Sequence, residues 1–127
     1  MMNMQPIVFD GLSGIEISTS KVRLVVVTEL GPRIAFLGRP GGDNLLYWKN
    51  DDLGYDRWRL LGGHRVWVTR PGADESEDAY ASDNEPCQVR ILENGLEVTG
   101  SLHPVLKTKR GLRLEVIGEN SVRVTSF

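Results

Sequence analysis

The sequence predicts an all-β protein built as an antiparallel β-sandwich. Three observations carry that prediction. Fourteen glycines and six prolines cut the 127 residues into short runs. Inside the runs Val, Ile, Thr and Leu alternate with polar residues at a period of two, the repeat of a strand with one buried face. No window shows a convincing apolar stripe at helical spacing, and "YDRWRLL" (55–61) has room for a turn or two at most. Runs spaced by about ten residues with hairpin turns between them favour a sandwich or barrel over a parallel sheet with crossover helices.

In chain order, "MMNMQPIVFDGLSG" has no basic start and no apolar run of signal-peptide length, and no segment anywhere reaches ~18 apolar residues. "GIEISTS" (14–20) is the first alternating run and "KVRLVVVTEL" (21–30) a longer, more buried one. Gly31-Pro32 then signals a turn before "RIAFLG" (33–38). "GRPGGDN" (38–44) reads as a loop, and "NLLYW" (44–48) and "HRVWVT" (64–69) as further strands. "CQVRILENGLEVTGSL" (87–102) is a hairpin around Asn94-Gly95, a dipeptide that tolerates the positive φ angles of a tight turn. "GLRLEVIGENSVRVTSF" (111–127) repeats the design with Gly118-Glu119-Asn120 as its turn. The chain stops inside an alternating run, and the expectation is that it forms the front part of a larger sandwich.

Size and charge exclude several classes. One domain fits in 127 residues and two ordinary ones do not. Fifteen Lys and Arg against seventeen Asp and Glu leave a net charge of −2, no field to hold a phosphate backbone, so nucleic acid is not an expected partner. A membrane is not expected either, and the reading is a soluble cytoplasmic chain. Cys87 cannot form an internal disulfide and reads as a half-buried thiol beside a strand. No zinc spacing, calcium loop or phosphate-binding glycine loop is present, so neither metal nor cofactor is expected.

The residues with chemistry gather around "GGHRVW". His64 follows two glycines that let the backbone approach a neighbour closely, and it opens a strand. Alternation sets His64, Val66 and Val68 on one face, and Arg65, Trp67 and Thr69 on the other. A histidine at a strand mouth suits acid/base work or a hydrogen bond to a ligand hydroxyl; the plain alternative is a turn histidine satisfied by a carbonyl. Arg65 and Trp67 on one face would suit a sugar, with a forked donor for hydroxyls and a flat aromatic for its C–H face, although a tryptophan in a sandwich is also ordinary core. Tyr47, Trp48, Tyr55 and Trp58 form a loop-rich aromatic stretch that lines a ligand cleft or simply covers the fold. His103, before Pro104, reads as a surface residue. The acidic run from Asp74 to Asp78 reads as solvated loop, whereas Asp83, Asn84 and Glu85 are fixed by Pro86 and can face the cleft that His64 borders.

"LGPRIAFLGRPGGDNLLYW", "LGGHRVWVTRP" and "SDNEP" together resemble the front half of galactose-mutarotase-like proteins, in a branch related to aldose 1-epimerases. Gly31-Pro32-Arg33-Ile34 is similar to that superfamily's G-x-R-I strand, and Gly62 to Trp67 to the segment bordering its sugar cleft. The resemblance implies a β-supersandwich with a carbohydrate cleft. It also implies an activity that opens the sugar ring with a paired acid and base, a histidine and a glutamate. The family's glutamate belongs to a C-terminal half that this chain does not contain, and its second histidine motif is not recognisable. On this reading His64 is the acid and Glu85 a substitute base, while Arg33, Arg65, Trp67, Asp83 and Asn84 contact a monosaccharide or glycan. Two alternatives stand beside it: a non-catalytic module that binds glycan or protein through the Tyr47–Trp58 stretch, and a structural domain that self-associates through open sheet edges.

Overall fold

A computed structural model describes residues 2–50, 61–66, 85–103 and 106–127. These form nine strands and no helix, arranged as two antiparallel sheets. The first sheet runs in chain order through β1 (Asn3–Phe9), β2 (Leu12–Ser18), β3 (Arg23–Val27), β4 (Arg33–Gly38) and β5 (His64–Arg65). The second holds β6 (Gln88–Leu92), β7 (Gly95–Thr99), β8 (Gly111–Gly118) and β9 (Ser121–Ser126). The all-β expectation therefore holds, and among the described residues no helix is long and apolar enough to cross a membrane.

The alternation of each run is what joins the sheets. Ile17, Leu24, Val26 and Ile34 from the first sheet meet Leu96, Val98, Leu112 and Leu114 from the second in one buried cluster. Burial of each such side chain contributes about 1.5–3 kcal/mol, enough to make this layer the main source of stability. A second cluster of Leu12, Val27, Ala35 and Leu61 lies on the opposite face of the first sheet, where Phe9, Leu30 and Trp48 close over it. β3 and β4 are thus buried on both faces, which is why β3 reads as a continuous apolar run, Leu24 to Val27.

Several elements differ from the sequence expectation. The segment before Leu12 is a strand, joined to β2 by Asp10 and Gly11 at φ 48° and 81°, the paired positive angles of a type I′ turn. Trp48 Nε1 donates to Asp10 Oδ2 at 3.0 Å, and Asn50 Nδ2 to the Asp10 carbonyl at 2.8 Å, so this turn also anchors the 48–50 segment. "NLLYW" is not a strand; it makes only the bridge Trp48↔Gly62. The cause is Asn44, whose Oδ1 accepts from the amides of Leu37 and Leu46 at 3.1 and 3.0 Å while its Nδ2 donates to the Ala35 carbonyl at 2.7 Å. A side chain thereby takes the backbone groups that a neighbouring strand would have used. Those bonds sit at a β-bulge: Val25 pairs with Phe36 and Val26 with Ile34, leaving Ala35 as the extra residue.

The hairpin at 92–95 forms where expected, for a different reason. Its turn residues are Glu93 and Asn94, Leu92 pairs with Gly95, and neither Asn94 nor Gly95 has a positive φ. Gly95 is required by closeness instead, since a Cβ there would run into the Leu114 carbonyl of the neighbouring strand. The last hairpin turns at Glu119-Asn120. On the outer face of the second sheet Arg90, Glu97 and Arg113 stand directly across three strands. Arg90 Nη2 lies 2.6 Å from Glu97 Oε2 and Arg113 Nη2 2.7 Å from Oε1. Hydrogen bonds from Arg90 first, and then Arg113, hold the Glu97 carboxyl below its ordinary pKa.

Candidate functional site at one end of the sandwich

Of the candidates, Arg33, His64, Arg65 and Glu85 lie at the end of the sandwich where the β3–β4 connection and β5 meet. Gly62 and Gly63 have φ of 86° and 76°. A Cβ on either would come within 3.0 Å of backbone, the Tyr47 carbonyl for Gly62 and the Ile34 carbonyl for Gly63. Only glycine satisfies both conditions, and the sequence reading of this dipeptide as a close-approach corner is what the structure shows. Gly63 N–H donates to the Tyr47 carbonyl at 2.7 Å, and the chain then enters β5 with His64 opposite Ile34 and Arg65 opposite Arg33.

That register sorts the candidates by face. Ile34 belongs to the core between the sheets, so His64 lies on the core-facing side of the edge strand, where it is exposed. Arg33 and Arg65 share the opposite face. Arg33 is 2% exposed, and its Nε donates to the Leu30 carbonyl at 3.2 Å, which fixes the guanidinium beside the turn before β4. Gly31-Pro32 in that turn is a cis peptide. Glu85 reaches the same end through its backbone: its carbonyl accepts from Gly31 N–H at 3.2 Å, while Cys87 N–H donates to the Thr28 carbonyl at 2.7 Å. Cys87 is half-buried, as its sequence context suggests. Among the described residues no hydrogen bond links His64 to Glu85. Trp67, Asp83 and Asn84, together with Tyr55, Trp58 and the acidic run, lie outside the described residues.

Two polar residues at this end carry more weight than their sequence context suggested. Arg110 is 4% exposed and its Nη1 donates to the Val66 carbonyl at 3.4 Å, so a cation closes the core layer against the segment that follows β5. The available signal was parity: Arg110 is in phase with Leu112 and Leu114, both core residues. His103 is buried rather than on the surface, at 3% exposed. Its amide donates to the Thr108 carbonyl at 2.8 Å, its carbonyl accepts from Lys107 N–H at 3.0 Å, and its Nδ1 accepts from Leu106 N–H at 3.0 Å. Gly100 belongs to the same packing, since a Cβ there would lie 3.0 Å from Pro32 Cδ.

The arrangement provides an exposed imidazole on one side of β5, fixed guanidinium groups on the other, and a carboxylate-bearing residue tied to the adjoining turn. It can donate hydrogen bonds to hydroxyl oxygens. Among the described residues no three His, Cys, Asp or Glu side chains gather as a metal site. Comparison with family models, with curated proteins and with solved structures finds no match to this chain.

Proposed function

We propose that this protein is a carbohydrate-recognising β-sandwich of the galactose-mutarotase-like type, which seats a monosaccharide or glycan unit against the mouth of β5. The observation that carries the reading is the Gly62-Gly63 corner. Two positive φ angles and two backbone approaches that exclude any Cβ present His64 to solvent while Arg33 is immobilised on the paired strand. Such preorganisation of a polar group at a strand mouth is what hydroxyl recognition requires.

The aldose-1-epimerase-like extension gives His64 a chemical role. As imidazolium it donates a proton to the sugar ring oxygen while the bond from that oxygen to the anomeric carbon breaks. Glu85 takes the proton of the anomeric hydroxyl, and reclosure of the open-chain aldehyde on its other face exchanges the anomers. Acid and base act on different oxygens of the sugar, so the lack of a direct bond between His64 and Glu85 is compatible with this division of roles. Exposure of Leu45 and Tyr47, 78% and 72%, favours a second reading in which the aromatic stretch binds glycan without chemistry.

Proton NMR with a panel of aldoses separates these. Saturation transfer to an aldose, with α/β exchange above the buffer rate that H64Q removes while binding persists, is the result expected of the full reading. Binding without exchange retains recognition and removes the acid role from His64. Binding lost in Tyr47→Ala but not in H64Q moves the site to the aromatic stretch. No saturation transfer with any sugar overturns the proposal.

A further inference from the structure

A second site lies at the other end of the same strands. β3 begins and β4 ends there, at Arg23↔Gly38, away from the Gly31–Arg33 end. Between the sheets a crevice of about 340 Å³ opens, walled by Val22, Leu24, Ile34 and Leu37 on one side and Val122 and Val124 on the other. Its walls are aliphatic, and its polar residues are Asn120 and Ser121. Leu24 and Ile34 at the crevice are 1% and 2% exposed, whereas Val124 on the edge strand β9 is 38% exposed, so the opening is on the β9 side. The volume falls within the roughly 300–1,000 Å³ of ordinary small-molecule pockets.

The crevice does not end in neutral solvent. Asn120 also lines a neighbouring hollow of about 520 Å³, whose other walls are Ser20, Lys21, Arg39 and Pro40. Asn120 lines both hollows, and Lys21 leads directly into Val22, so the two are neighbours along both chain segments. Thr19 Oγ1 donates to the Glu119 carbonyl and accepts from the amides of Lys21 and Val22 at 3.2 and 3.1 Å, binding the two turns together. The Arg39 guanidinium has no hydrogen-bond or ion-pair partner among the described residues. Lys21 has only a 4.0 Å approach to Glu119 between largely exposed side chains, a contact worth little in water.

An aliphatic slot with two under-compensated cations at its mouth fits an apolar chain that ends in a negative charge. We propose that this crevice binds a free amphipathic carboxylate of the medium-chain alkanoate class, its chain between β3–β4 and β9 and its carboxylate at Arg39 and Lys21. Among the described residues no aromatic side chain lines the slot for a sugar ring to stack on, and its polar groups lie on one side, which fits a molecule polar at one end. The inference does not rest on the carbohydrate reading, since no residue is shared between the two sites.

The test is isothermal titration of the whole chain with hexanoate, octanoate and decanoate, with 1-octanol as the uncharged control. Affinity is expected to tighten roughly fourfold per added CH₂ until the slot is filled, from the ~0.8 kcal/mol gained on burying each. R39Q is expected to weaken octanoate roughly tenfold and leave octanol unchanged, because only the charge-assisted bond is removed. Val124→Trp, at an exposed position of an edge strand that tolerates an aromatic, is expected to fill the slot and abolish both. Saturable one-site binding with this pattern supports the proposal. Affinity independent of chain length, octanoate binding unchanged in R39Q, or unsaturable uptake overturns it; the chain-length series on the unaltered chain needs no variant to fold.

Discussion

Gly63→Ala tests the corner that holds His64, and Gly11→Ala is its internal control. Both positions have similar backbone angles, φ 76° and 81°. Their surroundings differ: a Cβ at Gly11 meets nothing within 4 Å, whereas one at Gly63 falls inside 3.0 Å of the Ile34 carbonyl oxygen. The conformational cost of a left-handed alanine is common to both, about 1–2 kcal/mol. At Gly63 the Ile34 carbonyl cannot retreat without disturbing the Ile34↔Val26 pairing, so β5 must move instead. That movement removes the Gly63 bond to Tyr47 and loosens the short β4–β5 ladder, one or two hydrogen bonds at about 1 kcal/mol each. Gly63→Ala should therefore destabilise by about 2–4 kcal/mol against about 1–2 for Gly11→Ala. Urea unfolding followed by far-UV circular dichroism should show midpoints about 0.5–1 M apart for an m-value near 2 kcal/mol/M. Saturation transfer from an aldose should fall in Gly63→Ala and persist in Gly11→Ala. Coincident midpoints, within about 0.3 M, would show that close packing against Ile34 does not set this corner.

Asn44→Ala should cost about 2–3 kcal/mol in urea unfolding, because it strands the Leu37 and Leu46 amides and the Ala35 carbonyl at the bulge, whereas Asn50→Ala, which removes the bond to the Asp10 carbonyl, should cost less. Glu97 has a folded-state pKa below its ordinary value of 4.5, so the stability it contributes is present above about pH 4.5 and lost as pH falls through the depressed folded value. Urea midpoints of the unaltered chain and E97Q should accordingly differ most at pH 7 and converge as pH falls through the depressed folded value; a difference constant with pH would contradict the Arg90–Glu97–Arg113 account.

The strands were readable wherever alternation was undisturbed. "RIAFLG" coincides with β4, and the two C-terminal hairpins lie where their turn residues put them. Asp10-Gly11 carries the same signal, a turn dipeptide between apolar runs, and its positive φ angles make β1 and β2 a hairpin. "NLLYW" failed for a physical reason no period reveals, since one asparagine side chain satisfies the backbone groups that define a strand. At the site, the close-approach role of Gly62 and Gly63 was legible from residue type, and the opposite faces of His64 and Arg65 from alternation. The depth of Arg33 and Arg110 was not, because a buried arginine depends on which carbonyls the folded chain brings to it, Leu30 from the adjoining turn for Arg33 and Val66 from beyond β5 for Arg110. His103 was obscured as well, because its burial goes with bonds to the backbone of Leu106, Lys107 and Thr108 that residue type does not announce.

The most direct test of the central claim is a ¹⁵N–¹H correlation spectrum of the whole chain titrated with the aldose that gives the strongest saturation transfer. The account predicts saturable shifts concentrated at the amides of Gly62, Gly63, His64 and Arg65 and of their partner Arg33, with the Lys21 and Arg39 end unmoved. Shifts confined to other parts of the sandwich, or a spectrum unchanged by every aldose, would contradict carbohydrate recognition at the mouth of β5.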